Sequence, residues 1–260
     1  MPQNLVILAG GAGTRMAGGA GPKHLLEVDE APLLLSSVDQ VVREFGIQRI
    51  VYRVAFQAER FVSAWFAGAL RPHLKSNVLV GRLGEGPIGA LLDSAQLIGP
   101  QTILFTSGDV FFKVDSFASM LAYHVSHDAP ITVGAAHSIP STRPSTLVAD
   151  AGGTLLRYER KERTDDTDLL NAGVYLVDSG SIDWLVDDWR RATALAPSRE
   201  YKEDHLWCLI QGRPDRGRIF VLPGMMINVN SVDQLEAARE LAHMSSCGVM
   251  GAARPVGRAC

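Results

Sequence analysis

The feature that most constrains this 260-residue chain is a glycine-rich segment that follows a short apolar run near its beginning. The run Leu5–Ala9 is typical of a buried strand, and the glycines after it are followed by Thr14, Arg15 and then Pro22-Lys23. Glycine lets the backbone turn sharply and brings its N–H groups close to an anion. Because ligands of open α/β sheets bind at the carboxyl ends of the strands, we predict a polyphosphate site directly after the first strand.

Two common nucleotide-binding loops do not fit this segment. A Walker loop needs Ser or Thr after its lysine to hold magnesium, but Lys23 is preceded by Pro22 and followed by His24. A dinucleotide-binding loop needs a small residue where Met16 stands and an acidic residue at the end of the second strand. Residues 49–55 supply arginines there instead of an acid, so an NAD site is disfavoured.

The alternation of apolar runs and amphipathic stretches indicates the fold class. Strands are predicted at 5–9, 49–55, 77–80 and 102–106, with helices at 32–45, 60–70 and 88–98. The second half is less regular, with strands at 131–135, 147–150, 155–158, 172–177 and 218–221 and helices at 182–193, 205–211 and 231–244. This order predicts an α/β fold with a doubly wound, mainly parallel sheet and a smaller β-rich part.

The loop itself resembles a known family. Residues 8–16 followed by Pro22-Lys23 resemble the signature loop of the nucleotidyltransferases that make nucleoside diphosphate sugars, a superfamily that also contains cytidylyltransferases and the molybdopterin guanylyltransferase. The resemblance implies the Rossmann-like fold of the nucleotide-diphospho-sugar transferases. It also implies one domain over 1–245, with an NTP-binding half at about 1–112 and an acceptor-binding half at about 113–245. Residues 246–260, rich in small residues, are expected to be a disordered tail.

The resemblance assigns the nucleotide to the loop and to the start of the third helix. The implied nucleotide-binding residues are Leu8, Ala9, Gly10, Gly11, Gly13, Thr14, Arg15, Lys23 and Gly89. Loop amides, Thr14 and Arg15 would hold the β- and γ-phosphates, and Lys23 would neutralise charge near the α-phosphate. Ala90 stands where the family often has a threonine in the turn that contacts the base, so UTP, CTP, GTP and dTTP all stay open.

A metal site is expected at the same edge of the sheet. Asp109 follows a buried strand and a glycine, and it resembles the family's aspartate that binds catalytic metal. The segment 226–238 resembles the strand and helix that supply a second ligand, which places Asn230 there, with Asn228 as the competing candidate. Magnesium is held by carboxylates and phosphate oxygens, so the implied cofactor is Mg²⁺. The implied catalytic residues are Arg15, Lys23 and Asp109.

The acceptor side is expected in the second half of the chain. Two family landmarks are matched by Glu159 with Lys161 and by the run from Asn171 through Gly173 to Tyr175. An extra residue separates Glu159 from Lys161, so Arg160 competes with Lys161 for the acceptor phosphate. A carboxylate and an amide suit the paired hydroxyls of a sugar.

Composition limits the partners. The net charge is −3 with acids and bases interleaved, so no nucleic-acid surface is expected. No apolar run approaches the ~20 residues of a membrane span, and neither a membrane partner nor a secretory signal is expected. Three widely spaced cysteines argue against a disulfide framework, which favours the cytoplasm. A homo-oligomer is left open.

Together these features predict an enzyme that joins an NTP to a phosphorylated small molecule. The preferred acceptor is a sugar 1-phosphate, giving an NDP-sugar and pyrophosphate. One alternative is a non-sugar phosphate such as a molybdopterin, an alditol or inositol phosphate, or a choline-type phosphate. The other is a non-catalytic subunit that senses nucleotide sugars.

Overall fold

The computed structural model describes most of the chain in separate ranges. The described residues are 2–11, 22–28, 30–35, 38–55, 57–68, 75–81, 86–99, 101–114, 116–138, 145–160, 168–195 and 203–246. The predictions for Gly13, Thr14, Arg15 and Lys161, and for the tail after residue 246, lie outside these ranges.

Strands and helices alternate through the described residues. The strands are β1 (Asn4–Ala9), β2 (Glu27–Val28), β3 (Ala31–Pro32), β4 (Arg49–Val54), β5 (Lys75–Val80), β6 (Ile103–Ser107), β7 (Val110–Val114), β8 (Ile131–Ser138), β9 (Ser145–Ala149), β10 (Leu155–Arg160), β11 (Leu169–Val177) and β12 (Arg218–Asn228). The helices are α1 (Val38–Phe45), α2 (Ala58–Phe66), α3 (Gly86–Ile98), α4 (Ala118–Ser126), α5 (Ser179–Leu195), α6 (Glu203–Ile210) and α7 (Val232–Ser246). Short 3₁₀ helices cover Lys23–Leu25 and Leu33–Leu35.

A ten-stranded sheet organises the described part of the chain. Its main path runs β5-β4-β1-β6-β11-β8-β12-β7, and β9 links β10 to β11. The first four strands of this path pair in parallel, whereas β11 is antiparallel to both of its neighbours β6 and β8. The predicted α/β class with a doubly wound, mainly parallel sheet is confirmed, and each of its antiparallel pairs includes at least one strand from the second half of the chain.

Helices cover both faces of the sheet. Alternate residues of β1 enter two different apolar clusters, with Leu5 and Ile7 in one and Val6 in the other. The first cluster includes residues of α1, α2 and α4, and the second includes residues of α3, α5 and α6. Because both faces are covered, the parallel strands read as continuous apolar runs.

The helix predicted at 32–45 is wrong at its beginning. Ala31–Pro32 forms a two-stranded ribbon with Glu27–Val28, and Leu33–Leu35 forms a 3₁₀ turn before α1 begins at Val38. Leu33, Leu34 and Leu35 are all buried, which a single helix face does not allow for three consecutive residues. Proline at position 32 also fits the ribbon, because the ribbon does not need a backbone N–H donor at that position.

The second half contains structure that the sequence patterns did not predict. β7 and α4 follow Asp109, and β12 continues to Asn228 although its predicted end was residue 221. A Pro-Gly pair at 223–224 suggests a turn, but here it accompanies a register shift between Val221 and Met225. The strand continues beyond the shift because it pairs with β7 on one side and β8 on the other.

Glu44 joins α1 to the beginning of α4. Its Oε2 atom accepts hydrogen bonds from the Ser116 hydroxyl at 2.7 Å and from the amides of Phe117 and Ala118 at 2.6 and 2.9 Å. Burial alone would raise the pKa of Glu44, but these bonds and one from Gln40 hold the pKa below its ordinary value. The carboxylate therefore stabilises this helix end in its charged form.

This cap predicts a pH-dependent stability. Its contribution is present above the ordinary pKa of glutamate and is lost as pH falls through the lowered folded-state pKa, because the carboxylate becomes protonated. Glu44→Gln should lower the free energy of unfolding by about 1 kcal/mol at neutral pH, with the deficit shrinking in acid. Urea unfolding across pH measures this, with Glu240→Gln, an exposed position in the middle of α7, as the matched control. An equal deficit at all pH values would contradict it.

Candidate functional site

Two parallel strands end side by side at the carboxyl edge of the sheet. Gly108, just after β6, donates its amide to the Leu8 carbonyl at 2.8 Å. A Cβ atom at position 108 would lie only 3.0 Å from that carbonyl oxygen and 3.3 Å from His24 Cδ2. A glycine is needed for this close approach, which brings Asp109 beside the end of β1.

Lys23 reaches this edge from the 3₁₀ turn after Pro22. Its side chain is buried, and its Nζ atom lies 2.5 Å from Asp109 Oδ2 and 2.9 Å from Asn230 Oδ1. The Val229 carbonyl oxygen is a more distant third acceptor at 3.4 Å. A lysine ammonium has three donors, so these three oxygens account for all of them.

Asp109 is a carboxylate at neutral pH. Burial alone would raise the pKa of Asp109, but the nearby Lys23 ammonium, and to a lesser extent His24, hold it below its ordinary value. The side chain keeps 22% of its surface exposed, so one side of it is open to a ligand. A partly exposed carboxylate that stays charged suits the binding of a cation.

Two asparagines come from the end of β12. The Val229 amide donates to the Asp109 carbonyl at 2.8 Å, which ties the strand end to the turn after β6. Asn230 donates its side-chain amide to Asn228 Oδ1 at 2.5 Å, and its backbone amide donates to Gln234 Oε1 at 2.8 Å. These bonds hold the Asn230 Oδ1 atom toward Lys23. Ser231 caps the beginning of α7, since its hydroxyl accepts the Gln234 amide at 3.3 Å.

His24 belongs to the same site, although no sequence pattern singled it out. Its side chain is 2% exposed, and no hydrogen-bond partner of its Nδ1 atom is found in the described structure. Burial lowers the pKa of His24 to about 4, with Asp109 opposing the shift and Lys23 adding to it. The imidazole is therefore neutral at physiological pH.

The predicted nucleotide-binding residues lie along the same edge. Ala9 is buried and Leu8 is half-buried at the end of β1, and Gly10 and Gly11 continue from them. A Cβ atom at Gly10 would meet the Ala55 Cβ atom at 3.5 Å, so the chain passes close to the end of β4. Gly89 lies in the first turn of α3 and is buried.

A buried arginine lies between β4 and α3. Arg53 is 2% exposed, and its Nη2 atom lies 2.6 Å from Asp93 Oδ2 in α3. Gly81 covers the guanidinium, since a Cβ atom there would lie 1.5 Å from Nη1. This ion pair fastens α3, whose first turn carries Gly89, to the sheet.

Asn171 and Gly173 form a kink in β11. Asn171 Oδ1 accepts the Gly173 amide at 2.9 Å, and Asn171 Nδ2 donates to the Tyr175 hydroxyl at 2.5 Å. Gly173 has a φ of 66° where the pairing with β8 shifts register. A Cβ atom there would lie 2.7 Å from Ser107 Oγ, so this kink touches the end of β6.

Glu159 lies two strands away from Asn171. Both Glu159 of β10 and Leu170 of β11 pair with Thr146 of β9. Glu159 Oε1 lies 2.5 Å from Arg157 Nε, and both side chains are well exposed. The described contacts bring Lys23, Asp109 and Asn230 together, and they leave Glu159 as a separate charge on the neighbouring part of the sheet.

The sequence of this chain is similar to those of known nucleotidyltransferases. A family model described as a MobA-like NTP transferase domain matches residues 5–173. A glucose-1-phosphate adenylyltransferase of Desulfitobacterium hafniense is 33% identical over 88 residues, which are 33% of this chain and 22% of that protein. A provisionally assigned mannose-1-phosphate guanyltransferase of Sulfolobus acidocaldarius is 26% identical over 174 residues, covering 66% of this chain and 47% of that protein. The chain thus spans less than half the length of these relatives.

A solved structure supports the same fold. A provisionally assigned glucose-1-phosphate thymidylyltransferase of Bacillus anthracis superposes with a TM-score of 0.74 at 19% identity. The superposition covers 92% of this chain and 94% of that chain. The chain therefore shares the fold of that structure. None of the described helices is long and apolar enough to cross a membrane.

Proposed function

Because the chain belongs to the family of MobA-like NTP transferase domains, we propose that it transfers a nucleoside monophosphate from an NTP to a sugar phosphate. The products are an NDP-sugar and pyrophosphate. The observation that carries this proposal is the cluster of Lys23, Asp109 and Asn230 beside the glycines that end β1. The names of the relatives favour a sugar phosphate over a non-sugar acceptor, and they favour an enzyme over a sensor subunit.

The reaction needs no covalent intermediate with the protein. An oxygen of the acceptor phosphate attacks the α-phosphorus, the bond from that phosphorus to the bridging oxygen breaks, and pyrophosphate leaves with the electron pair. Catalysis then rests on positioning and on neutralising phosphate charge. In this proposal Lys23 neutralises charge near the α-phosphate, and the loop with Arg15 and Thr14 holds the outer phosphates.

The residues at this edge suit a divalent cation such as Mg²⁺. Asp109 and Asn230 both place a side-chain oxygen against the Lys23 ammonium, and this closeness supports assigning the two oxygens as metal ligands. Among the described residues no three His, Cys, Asp or Glu side chains are grouped so as to hold a metal. In this proposal a bound Mg²⁺ would take its other ligands from water and substrate phosphates, and it would neutralise charge on the reacting phosphates.

The two substrates are assigned to different parts of the sheet. Leu8, Ala9 and Gly89 would contact the base through their backbone, and Arg53 would hold α3 in place beside it. Relatives named for adenylyl and guanylyl transfer both match the chain, and base contacts made through the backbone would be compatible with either base. Asn171, Gly173, Glu159 and Lys161 are proposed for the acceptor, with Arg157 beside Glu159 as an added cation.

We also propose a cytoplasmic location. The three cysteines are widely spaced in the sequence, and Cys208 is a free, exposed thiol in the structure. Exposed free thiols are typical of reducing compartments, where nucleoside triphosphates are also abundant.

Pyrophosphate release tests the proposed function. The protein is incubated with Mg²⁺, with each of ATP, CTP, GTP, UTP and dTTP, and with glucose 1-phosphate, mannose 1-phosphate, ribitol 5-phosphate or choline phosphate. Inorganic pyrophosphatase and a phosphate assay then report turnover. We expect release that depends on both an NTP and a sugar phosphate. Release only with ribitol 5-phosphate or choline phosphate would favour a non-sugar acceptor, and release with no pair would contradict the enzyme proposal.

A further inference from the structure

The Lys23 ammonium lies between the two oxygens that are proposed to hold the metal. Its Nζ atom is 2.5 Å from Asp109 Oδ2 and 2.9 Å from Asn230 Oδ1. The lysine side chain is 6% exposed, so this contact is shielded from water on most sides. A shielded ion pair is weakened little by salt and persists for much of the time.

A divalent cation cannot share these oxygens with the ammonium in this arrangement. Mg²⁺ binds oxygen ligands at about 2.0–2.1 Å and requires lone pairs directed at the metal. The Nζ atom already lies in the space between Asp109 and Asn230, and two cations at this separation repel each other. The bonds from Asn230 to Asn228 and Gln234 also restrain the amide from turning away.

The lysine side chain runs next to the glycine loop. A Cβ atom placed on Gly11 would lie 3.8 Å from Lys23 Cε, so the absence of a side chain at Gly11 leaves room beside the lysine. Rotation about the flexible side-chain bonds would carry Nζ from Asp109 toward a phosphate held at this loop. The same loop is the one proposed to hold the nucleotide.

We propose that Lys23 and a divalent metal compete for Asp109 and Asn230, and that nucleotide phosphate relieves the competition by drawing Lys23 away. The protein then binds metal well only together with nucleotide. The role given to the nucleotide and the choice of Asp109 and Asn230 as metal ligands rest on the proposed function, whereas the block on those oxygens rests on the contacts of Lys23. If the ion pair is formed more than about nine-tenths of the time, it lowers the apparent metal affinity about tenfold or more.

Binding of Mn²⁺ without nucleotide tests the competition. Free Mn²⁺ is followed by its electron paramagnetic resonance signal as wild type or Lys23→Gln is added. Glutamine keeps a hydrogen-bond donor near Asp109 but carries no charge, so we expect Lys23→Gln to bind Mn²⁺ about tenfold or more tightly than wild type. Lys75→Met, at the exposed start of β5 on the opposite edge, should bind like wild type. Equal or weaker binding by Lys23→Gln would overturn the proposal.

Two further measurements locate the effect. Adding Asp109→Asn to Lys23→Gln should remove the gain, and a persistent gain would show that Mn²⁺ binds elsewhere. Thermal unfolding gives an independent signal, because a ligand that binds the folded state raises Tm. Mn²⁺ should raise the Tm of Lys23→Gln more than that of wild type, and an equal rise would contradict the competition.

The outcome is separable from that of the proposed function. The Mn²⁺ measurements contain no substrate, so a failed competition would leave nucleotidyl transfer untouched. Conversely, a protein that forms no NDP-sugar with any substrate pair could still show tighter Mn²⁺ binding in Lys23→Gln.

Discussion

Replacing Asp109 with asparagine is expected to lower turnover by about two orders of magnitude or more. Asparagine keeps the size and shape of the side chain but removes its charge. The Lys23 ammonium then loses its ion-pair partner at 2.5 Å, and a bound metal loses its carboxylate ligand. Each loss leaves the charge of the reacting phosphates less well neutralised. Neutralising that charge is the main source of catalysis in this proposal.

Single-turnover and steady-state pyrophosphate release measure this effect. The matched control is Asp178→Asn, which makes the same change at the opposite edge of the sheet. Asp178 Oδ1 accepts a hydrogen bond from Thr102 at 2.8 Å and lies 3.2 Å from His124 Nε2, and an asparagine oxygen can still accept from both. We expect the control to keep wild-type turnover. Wild-type turnover by Asp109→Asn at limiting Mg²⁺ would remove Asp109 from the metal and catalytic roles.

Replacing Gly173 with alanine is expected to reduce the free energy of unfolding by about 2–4 kcal/mol. The backbone at Gly173 has a φ of 66°, which residues with a Cβ atom rarely adopt. The new methyl group would also lie 2.7 Å from Ser107 Oγ and 2.8 Å from Ser107 Cβ. Both effects act where β11 touches the end of β6, next to the proposed site.

Urea unfolding of three variants separates the two causes. Gly180→Ala is the control, because a Cβ atom at this exposed helical position meets no atom within 4 Å. It should unfold like wild type or later. Adding Ser107→Gly to Gly173→Ala removes the overlap but keeps the strained backbone, so part of the loss should be recovered. If Gly173→Ala unfolds like wild type, the kink does not require glycine.

The sequence was most informative at the carboxyl edge of the sheet. Glycines after a strand and an aspartate after another strand predict a shared site, because parallel strands end at the same edge. Lys23, Asp109 and Asn230 indeed meet, although 86 and 207 residues separate Lys23 from the other two. The contacts that Lys23 makes with both of the others were not predicted, since the motif gives positions in the chain and not side-chain partners.

Residues whose roles depend on distant partners were missed. His24 follows the Pro-Lys pair, and nothing in its local sequence indicates that it is buried beside Gly108. Arg53 stands in an apolar strand where an arginine suggests exposure, yet Asp93, 40 residues later, allows its burial. Burial of a charged group requires a partner, and local patterns do not identify one across such distances.

Tertiary pairing also overrode two local signals. Pro32 and the leucines after it resemble the beginning of a helix, but the chain forms a small ribbon and a 3₁₀ turn there. Pro223-Gly224 resembles a strand end, but β12 continues because neighbouring strands pair with it on both sides. In both places the hydrogen bonds and burial supplied by the whole fold outweighed local preference.

Transfer of a labelled α-phosphate tests the central claim most directly. The wild-type protein is incubated with Mg²⁺, a sugar phosphate and an NTP labelled at the α-phosphorus, and the products are separated and identified by mass. We predict that the label appears in an NDP-sugar and that the released pyrophosphate is unlabelled. Label that remains in every NTP, or that appears only as free nucleoside monophosphate, would contradict nucleotidyl transfer to a sugar phosphate.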